Sequence, residues 1–251
     1  MVSLNVNGEM VSVADSHPNL LAALREELNL TSAKDGCSPS GQCGCCAVLI
    51  DGKAQVSCQT SLAKVEGKSI VTLEGLPADE RGTLAAAFSA TGALQCGFCT
   101  PGILIRTKAL LDKKGSDLDR DTAARFMGGH LCRCTGYTKI LDAVENLAKS
   151  IEPVPVPLGG IGSRGAKYEA TELALGDRGY VDDLRPDGLL HAALSLTQHA
   201  RADILAIDTS AAEQAPGVVA VYTAADVPGQ LKIGIIYEDW PVFIPVGGRT
   251  S

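Results

Sequence analysis

The cysteines of this chain occur in two separate groups of four, and this grouping constrains the fold more than any other feature. The sequence has nine cysteines in 251 residues, and eight of them form the groups Cys37, Cys43, Cys46 and Cys58, then Cys96, Cys99, Cys132 and Cys134. Four thiolates select soft metals, chiefly zinc or iron–sulfur clusters. Two such sites in series predict a fold built around two metal centres and suggest a path for electrons.

The composition excludes several classes of partner. A formal net charge of −7 argues against nucleic acid and anionic membranes, since both require a basic face. The N-terminal residues lack the basic and apolar regions of a secretory leader, and no run approaches the roughly 18 apolar residues of a membrane span. We therefore expect a soluble cytoplasmic protein, in which thiols are metal ligands rather than halves of disulfides.

The first of three segments has the alternation of a small mixed sheet. Apolar and polar residues alternate over residues 2–6 and 10–13, and Asn7-Gly8 between them is a strong signal for a hairpin turn. Leucines at helical spacing from Leu20 to Leu28 predict one packed helix. Further strands are predicted at residues 47–50, 53–56 and 69–73.

The second segment has the periodicity of helices. From about residue 82 the apolar period lengthens, and the capping residues agree with helices over residues 83–93, 101–112, 119–127 and 138–149. These predict a small four-helix domain. Alternating prolines followed by glycines at residues 152–165 then predict an exposed linker.

The third segment, after the linker, has a weaker pattern. A short helix is predicted at residues 209–214, and strands are predicted at residues 188–196, 204–207, 218–222 and 242–246. So short a segment, with no closing element, makes a poor independent domain. We therefore expect residues 166–251 to fold against a partner.

The first group of cysteines lies on a glycine-rich loop, which suits an iron–sulfur cluster. Glycines between Cys37 and Cys46 allow backbone N–H groups to point toward anionic sulfurs. Cys58 returns from the next strand as the fourth ligand. Zinc is the alternative, although its sites usually use two short paired-cysteine turns. Cys45, between two ligands, is predicted to pack as a small apolar residue.

The second group brings two turns together across a helix pair. Cys99 precedes a predicted helix N-terminus, where free N–H groups favour a thiolate. A Cys-x-x-Cys turn with a Cys-x-Cys turn is not diagnostic, so the residues alone leave zinc and an iron–sulfur cluster open.

Three strings of the sequence resemble a known family: Lys34-Asp-Gly-Cys37 with Gly-Gln-Cys43-Gly-Cys-Cys46, Gln95-Cys96-Gly-Phe-Cys99-Thr-Pro-Gly, and Leu131-Cys132-Arg-Cys134-Thr-Gly-Tyr137. Residues 1–150 resemble the iron–sulfur part of the molybdenum hydroxylases, the xanthine dehydrogenase and aldehyde oxidoreductase family. The resemblance implies an α+β fold. It places a plant-ferredoxin-like β-grasp domain at residues 1–78 and a four-helix domain at residues 79–150, each holding one [2Fe-2S] cluster.

The resemblance also implies roles for individual residues. It makes the eight grouped cysteines the cluster ligands, and it places Gln95 and Cys134 against a molybdopterin cofactor from the cluster side. For Gln95 the alternative is an amide that satisfies nearby backbone. Arg133 either offsets cluster charge or forms a surface ion pair. His130 is expected to be structural, because no second histidine has a matching spacing.

One departure from the family pattern lies in the first loop. The family usually has four residues between its first two ligands, whereas Cys37 and Cys43 enclose five. Gly36 precedes Cys37 as the pattern requires, so Cys37 is kept as a ligand. The extra residue and Pro39 are expected to reshape the loop over the cluster that the first group of cysteines would hold.

The third segment is similar to the start of the molybdenum-binding subunit, through residues 176–184, 191–194, 199–209 and 216–227. The resemblance implies a linker at residues 151–167 and the N-terminal portion of the molybdenum-binding domain at residues 168–251. The family's catalytic glutamate and metal-holding loops lie further on, so no catalytic residue is assigned here.

We therefore predict an electron-transfer subunit of a molybdenum hydroxylase, part of a molybdenum-dependent oxidoreductase but not catalytic as an isolated chain. The resemblance implies that electrons leave a molybdopterin centre, held by a molybdenum-binding partner subunit or missing domain, and pass singly through both clusters to a flavin subunit or another acceptor. The resemblance also implies that the oxygen added to the substrate comes from water. The alternatives are a free-standing ferredoxin-type carrier and a zinc-stabilised assembly module.

Overall fold

The computed structural model describes residues 1–152, 159–161, 163 and 165–250. Its compact units are Met1–Arg185 and Pro186–Ser251, and together they have the predicted α+β fold. Within the predicted linker at residues 151–167, residues 153–158, 162 and 164 lie outside the described residues. The domain limits expected at residues 78, 150 and 167 stay a prediction.

A mixed five-stranded sheet opens the first unit. Its spatial order is β2-β1-β5-β3-β4, for strands β1 Val2–Val6, β2 Glu9–Val13, β3 Ala47–Ile50, β4 Lys53–Val56 and β5 Ser69–Val71. β1 and β5 run parallel, and the other neighbours are antiparallel. The hairpin expected at Asn7-Gly8 is confirmed, since both residues have the positive φ that such a tight turn requires.

One helix packs on this sheet. Helix α1, Leu20–Ala22, begins at Asn19, whose side chain accepts from the Ala22 amide at 3.0 Å, and it continues as a π-helical turn over Ala23–Glu27. Its apolar face is buried against the sheet in a cluster that includes Leu20, Leu21, Leu24, Leu4, Val48 and Ile70. The leucine spacing therefore identified the packed helix correctly.

The four predicted helices follow within the same unit. They are α2 Ala78–Thr91, α3 Thr100–Lys114, α4 Arg120–Met127 and α5 Thr138–Ala148. Asp119 caps α4 by accepting from the Thr122 amide at 2.6 Å, and Pro101 occupies the first turn of α3. α3 also packs on β3, so the helices and the sheet share contacts. None of the helices in the described ranges is long and apolar enough to cross a bilayer.

A further helix lies beyond the linker but belongs to the first unit. Helix α6, Ala170–Leu175, packs on α2 and α3, and Leu173 and Ala174 are buried there. This differs from the expectation that residues 166–251 pack only on a partner. The contact joins residues far apart in sequence, and local periodicity does not report such contacts.

The second unit has little regular structure. Helix α7, Ser210–Glu213, confirms the predicted helix, and a short hairpin pairs β6 Lys232–Ile233 with β7 Trp240–Pro241. The strands predicted at residues 188–196, 204–207, 218–222 and 242–246 are wrong. A strand requires a continuous ladder of hydrogen bonds to a neighbour. In the described part of this unit these stretches lie mostly exposed, and their backbone pairing is confined to isolated contacts, such as those of Ile204 with Gly247 and Gly248.

Two candidate metal centres

The first group of cysteines surrounds the end of the loop that leads into the β3–β4 hairpin. Cys46 immediately precedes β3, and Cys58 lies in a 3-10 turn directly after β4. β3 and β4 pair with Ala47 opposite Val56, so the hairpin brings these two cysteines together. Ser57 locks the arrangement, because its amide and hydroxyl donate to the Cys46 carbonyl at 3.2 and 2.8 Å.

Burial, neighbouring thiols and hydrogen-bond donors shift the pKa of two thiols of this group in opposite directions. Burial raises the pKa of Cys58 to about 12, and the neighbouring Cys46 thiol adds to the rise. Burial also acts to raise the pKa of Cys37. That effect is outweighed by donors from Ser40 and from backbone amides near Cys43, which lower the pKa of Cys37 to about 6.

The five-residue loop between Cys37 and Cys43 is held by side chains outside it. The Ser38 amide donates to the Asp35 carboxylate at 2.9 Å, and the Gln59 amide donates to the Pro39 carbonyl. Ser38 adopts a positive φ, which accommodates the tight path of the longer loop. Cys37 stays in contact with Cys43 in this loop, and the expected change of loop path relative to the family remains a prediction.

The second group lies at two helix ends. Cys96 and Cys99 form the turn before α3, and Cys132 and Cys134 form the turn between α4 and α5. The Sγ atoms of Cys96 and Cys134 are 3.6 Å apart. All four thiols line one cavity of about 170 Å³, so the two turns converge as the sequence predicted.

The Cys132 turn is built by its own neighbours. The Tyr137 hydroxyl accepts from the Cys132 amide at 2.8 Å and donates to the His130 carbonyl at 2.9 Å. The Thr135 hydroxyl lies 3.1 Å from the Cys132 Sγ. Burial acts to raise the pKa of Cys132, but donors from Thr135 and Cys134 outweigh it and lower that pKa.

The arrangement of thiols suits a binuclear cluster. Four thiols have a close neighbour in their own group that acts to raise their pKa: Cys37 acts on Cys43, Cys46 on Cys58, Cys134 on Cys96, and Cys132 on Cys99. A [2Fe-2S] cluster needs two thiolates on each of its two irons. Within the described ranges, no three or more His, Cys, Asp or Glu side chains are arranged to hold a single metal ion.

The two candidate centres lie side by side. The Leu131 amide, next to Cys132, donates to the Cys43 carbonyl at 2.9 Å. Cys45 is buried between the groups and lines the cavity of the second group, in agreement with its predicted role as a small packed residue. Sequence reasoning did not find the hydrogen bond between Leu131 and Cys43, because these two residues are distant along the chain.

The remaining candidates have clear positions. The Gln95 amide donates to the Cys134 carbonyl at 3.0 Å, so the structure brings these two exposed residues together. Arg133 is exposed at the rim of the cavity. His130 is buried, accepts from the Arg106 guanidinium at 3.2 Å at Nε2, and packs against Gly44. Burial lowers the pKa of His130 to about 4, so this histidine is a neutral packing residue.

Comparisons with known proteins agree with this geometry. Residues 72–145 match the family profile described as "[2Fe-2S] binding domain". Residues 175–244 match the profile described as "Aldehyde oxidase and xanthine dehydrogenase, a/b hammerhead domain". The two matches cover the second group of cysteines and most of the segment after the linker, whereas the first group lies before residue 72.

Individual relatives extend the likeness. The chain is 43% identical over 146 residues to the nicotinate dehydrogenase small FeS subunit of Eubacterium barkeri, covering 57% of this chain and 92% of that one. It is 36% identical over 248 residues to the aldehyde oxidoreductase of Megalodesulfovibrio gigas, covering 92% of this chain but 27% of that protein.

The solved structures show the same fold. The aldehyde oxidoreductase from Desulfovibrio desulfuricans ATCC 27774 superposes with a TM-score of 0.86 at 33% identity, over 99% of this chain and 30% of that one. The chain therefore spans less than a third of the length of the two aldehyde oxidoreductases that it matches.

Proposed function

Because the chain belongs to the xanthine dehydrogenase and aldehyde oxidoreductase family of molybdenum hydroxylases, we propose that it relays electrons out of a molybdenum centre. That centre, with its molybdopterin, belongs to a partner subunit or to the rest of a longer polypeptide, and a flavin subunit or another acceptor receives the electrons. When bound, each [2Fe-2S] cluster stores one electron, so a pair suits the two-electron oxidation of a substrate.

One observation carries the proposal: two groups of paired thiols lie within one compact unit, and a hydrogen bond joins them. The Leu131 amide and Cys43 carbonyl make this contact next to one ligand of each group. A free-standing ferredoxin would need only the first group. We assign the ligands as Cys37, Cys43, Cys46 and Cys58 for the outer cluster, and Cys96, Cys99, Cys132 and Cys134 for the inner cluster.

The chain also supplies donors to the thiolates. The Ser40 hydroxyl donates a hydrogen bond to Cys37, and the Thr135 hydroxyl donates one to Cys132. Each donor stabilises negative charge on sulfur, and this favours the reduced form of a cluster and raises its potential. The protein's part in the chemistry is therefore to hold the ligands and set their electrostatic surroundings.

The exposed end of the inner site supports the docking of the molybdenum centre there. Cys96, Cys134 and Gln95 are exposed, whereas Cys99 and Cys132 are buried. We propose that Gln95 and Cys134 face the molybdopterin, with the Cys134 carbonyl holding the Gln95 amide in place. The proposed location is the cytoplasm, where the free thiols of this chain stay reduced.

Single-ligand variants test the relay. We expect Cys96→Ser in the full chain to remove one paramagnetic signal of the dithionite-reduced protein, and Cys58→Ser to remove the other. Each change deletes a ligand from one cluster only, and electron paramagnetic resonance measures both.

Other outcomes identify the alternatives. A single signal in the parent chain that survives Cys96→Ser indicates a ferredoxin-type carrier. A colourless parent chain with bound zinc indicates an assembly module. Loss of both signals in either variant contradicts two independent sites.

A further inference from the structure

A buried group of charges ties the segment after the linker to the sheet domain. The Asp183 carboxylate accepts from the Arg25 guanidinium at 2.8 Å and from the Lys34 ammonium at 2.7 Å. The three side chains are only 6%, 6% and 1% exposed in the order Asp183, Arg25, Lys34. Two buried cations that share one carboxylate depend on it, because removing one partner of a buried pair leaves uncompensated charge.

Tyr180 connects this buried group of charges to the inner metal site. The Tyr180 amide donates to the Asp183 carboxylate at 2.9 Å, so the two residues form one turn. The Tyr180 hydroxyl donates to the carbonyl of Cys96 at 2.5 Å. Its ring meets Phe98 edge to face, with centroids 5.2 Å apart, and the Lys34 ammonium lies 5.1 Å from the ring centroid.

The same segment covers the Cys96–Cys99 turn. A Cβ added to Gly97 would lie 2.8 Å from the Cβ of Leu173 in α6 and 3.1 Å from the Tyr180 hydroxyl. Gly176, at the end of α6, fits between Ser32 of the sheet domain and Pro101 of α3. The segment therefore touches the inner ligand turn and both neighbouring domains at van der Waals distance.

We propose that residues 170–185 form a clamp that fixes the inner ligand turn against the sheet domain. Asp183 is its anchor, and Tyr180 is a positioning residue that acts on the inner cluster through the Cys96 carbonyl. The inference rests on the proposed iron–sulfur function. It assigns to residues after the linker a role toward the cluster domains, in addition to their place at the start of the molybdenum-binding part.

The clamp has a predicted electrostatic effect. The positive end of the Tyr180 hydroxyl dipole points toward the ligand turn, so it stabilises the extra negative charge of a reduced inner cluster. Removal of the Tyr180 hydroxyl should lower the midpoint potential of the inner cluster and leave the midpoint potential of the outer cluster unchanged.

The first test uses Tyr180→Phe in the full chain, because this change removes the hydroxyl and keeps the ring contacts. The matched control is Tyr168→Phe, since Tyr168 is 82% exposed in the same segment. Redox titration followed by electron paramagnetic resonance should show a lower inner potential in Tyr180→Phe only. Equal inner potentials in both variants, or an equal shift of both clusters, would overturn the positioning role.

The second test addresses the anchor with hydrogen exchange. Asp183→Asn should speed amide exchange across residues 170–185, because Arg25 and Lys34 lose their shared charge. Asp182→Asn is the control, since Asp182 contacts the same Arg25 at 3.2 Å but is 74% exposed. Unchanged exchange in Asp183→Asn would contradict the clamp.

The tests separate the clamp from the proposed function. Two clusters in the parent with an unmoved inner potential in Tyr180→Phe refute the positioning role alone. No cluster signal in the parent refutes both.

Discussion

Gly102→Ala tests whether the helical domain and the outer metal loop are packed as one body. Gly102 lies in the first turns of α3, and a Cβ there would lie 2.5 Å from the Gly44 carbonyl oxygen and 2.9 Å from that of Cys45. Both atoms belong to the backbone and cannot rotate away. We therefore expect the substitution to push α3 from the loop that carries Cys43 and Cys46.

The expected loss of stability in Gly102→Ala is the difference between two opposing effects. Overpacking of this kind costs about 1–3 kcal/mol, whereas alanine is favoured over glycine in a helix interior by about 1 kcal/mol. The net destabilisation is about 0–2 kcal/mol. Gly82→Ala is the matched control, because Gly82 is exposed in α2 with nothing within 4 Å of an added Cβ.

Gly82→Ala should therefore have a higher free energy of unfolding than Gly102→Ala. Gly82→Ala should stabilise the protein by about 1 kcal/mol, so the pair should differ by about 1–3 kcal/mol. For a chain of this size that corresponds to roughly 2–12 °C between their midpoints. The assay is thermal unfolding of both cluster-loaded proteins at one scan rate, followed by circular dichroism and visible absorbance.

Hydrogen exchange at the Leu131 amide adds a local measurement to this comparison. That amide donates to the Cys43 carbonyl, so displacement of α3 should speed its exchange in Gly102→Ala and not in Gly82→Ala. Equal midpoints and equal exchange in the two variants would refute the close packing of the helices on the outer loop.

Three further predictions follow from the site and the fold. Cys45→Ser should keep both clusters, whereas Cys46→Ser should lose the outer one; the reverse result in electron paramagnetic resonance would exchange their assignments. Asp119→Ala should lower the stability by about 1 kcal/mol through the lost cap of α4, measured by thermal unfolding against the parent. Limited proteolysis should cleave Pro186–Ser251 before Met1–Arg185, because the second unit is mostly exposed; early cuts in α2 or α3 would contradict this.

Local signals in the sequence predicted the five-stranded sheet, its packed helix and helices α2 to α5 of the first unit, but not α6. Alternation with Asn7-Gly8 identified the first hairpin, and the Asp119 cap marked the start of α4. The cysteine strings predicted the convergence of Cys96 and Cys134, which the 3.6 Å separation of their sulfurs bears out. Each of these features depends on residues close in sequence or on a specific motif.

The features that sequence reasoning missed depend on distant contacts. The strands predicted after Pro186 have apolar alternation, but in the described part of the second unit they make isolated backbone contacts rather than a continuous ladder. The ion pairs of Asp183 with Lys34 and Arg25 join residues on opposite sides of the linker. Neither periodicity nor capping reports which remote surface such a carboxylate will reach.

The most direct test of the account is a combined metal analysis and reductive titration of the full chain. Two clusters predict about four irons and four acid-labile sulfides per chain, with two distinct paramagnetic signals after uptake of about two electrons. The visible colour should bleach in step with that uptake. Stoichiometric zinc without sulfide, or uptake of no electrons by a protein that holds iron, would contradict the central claim.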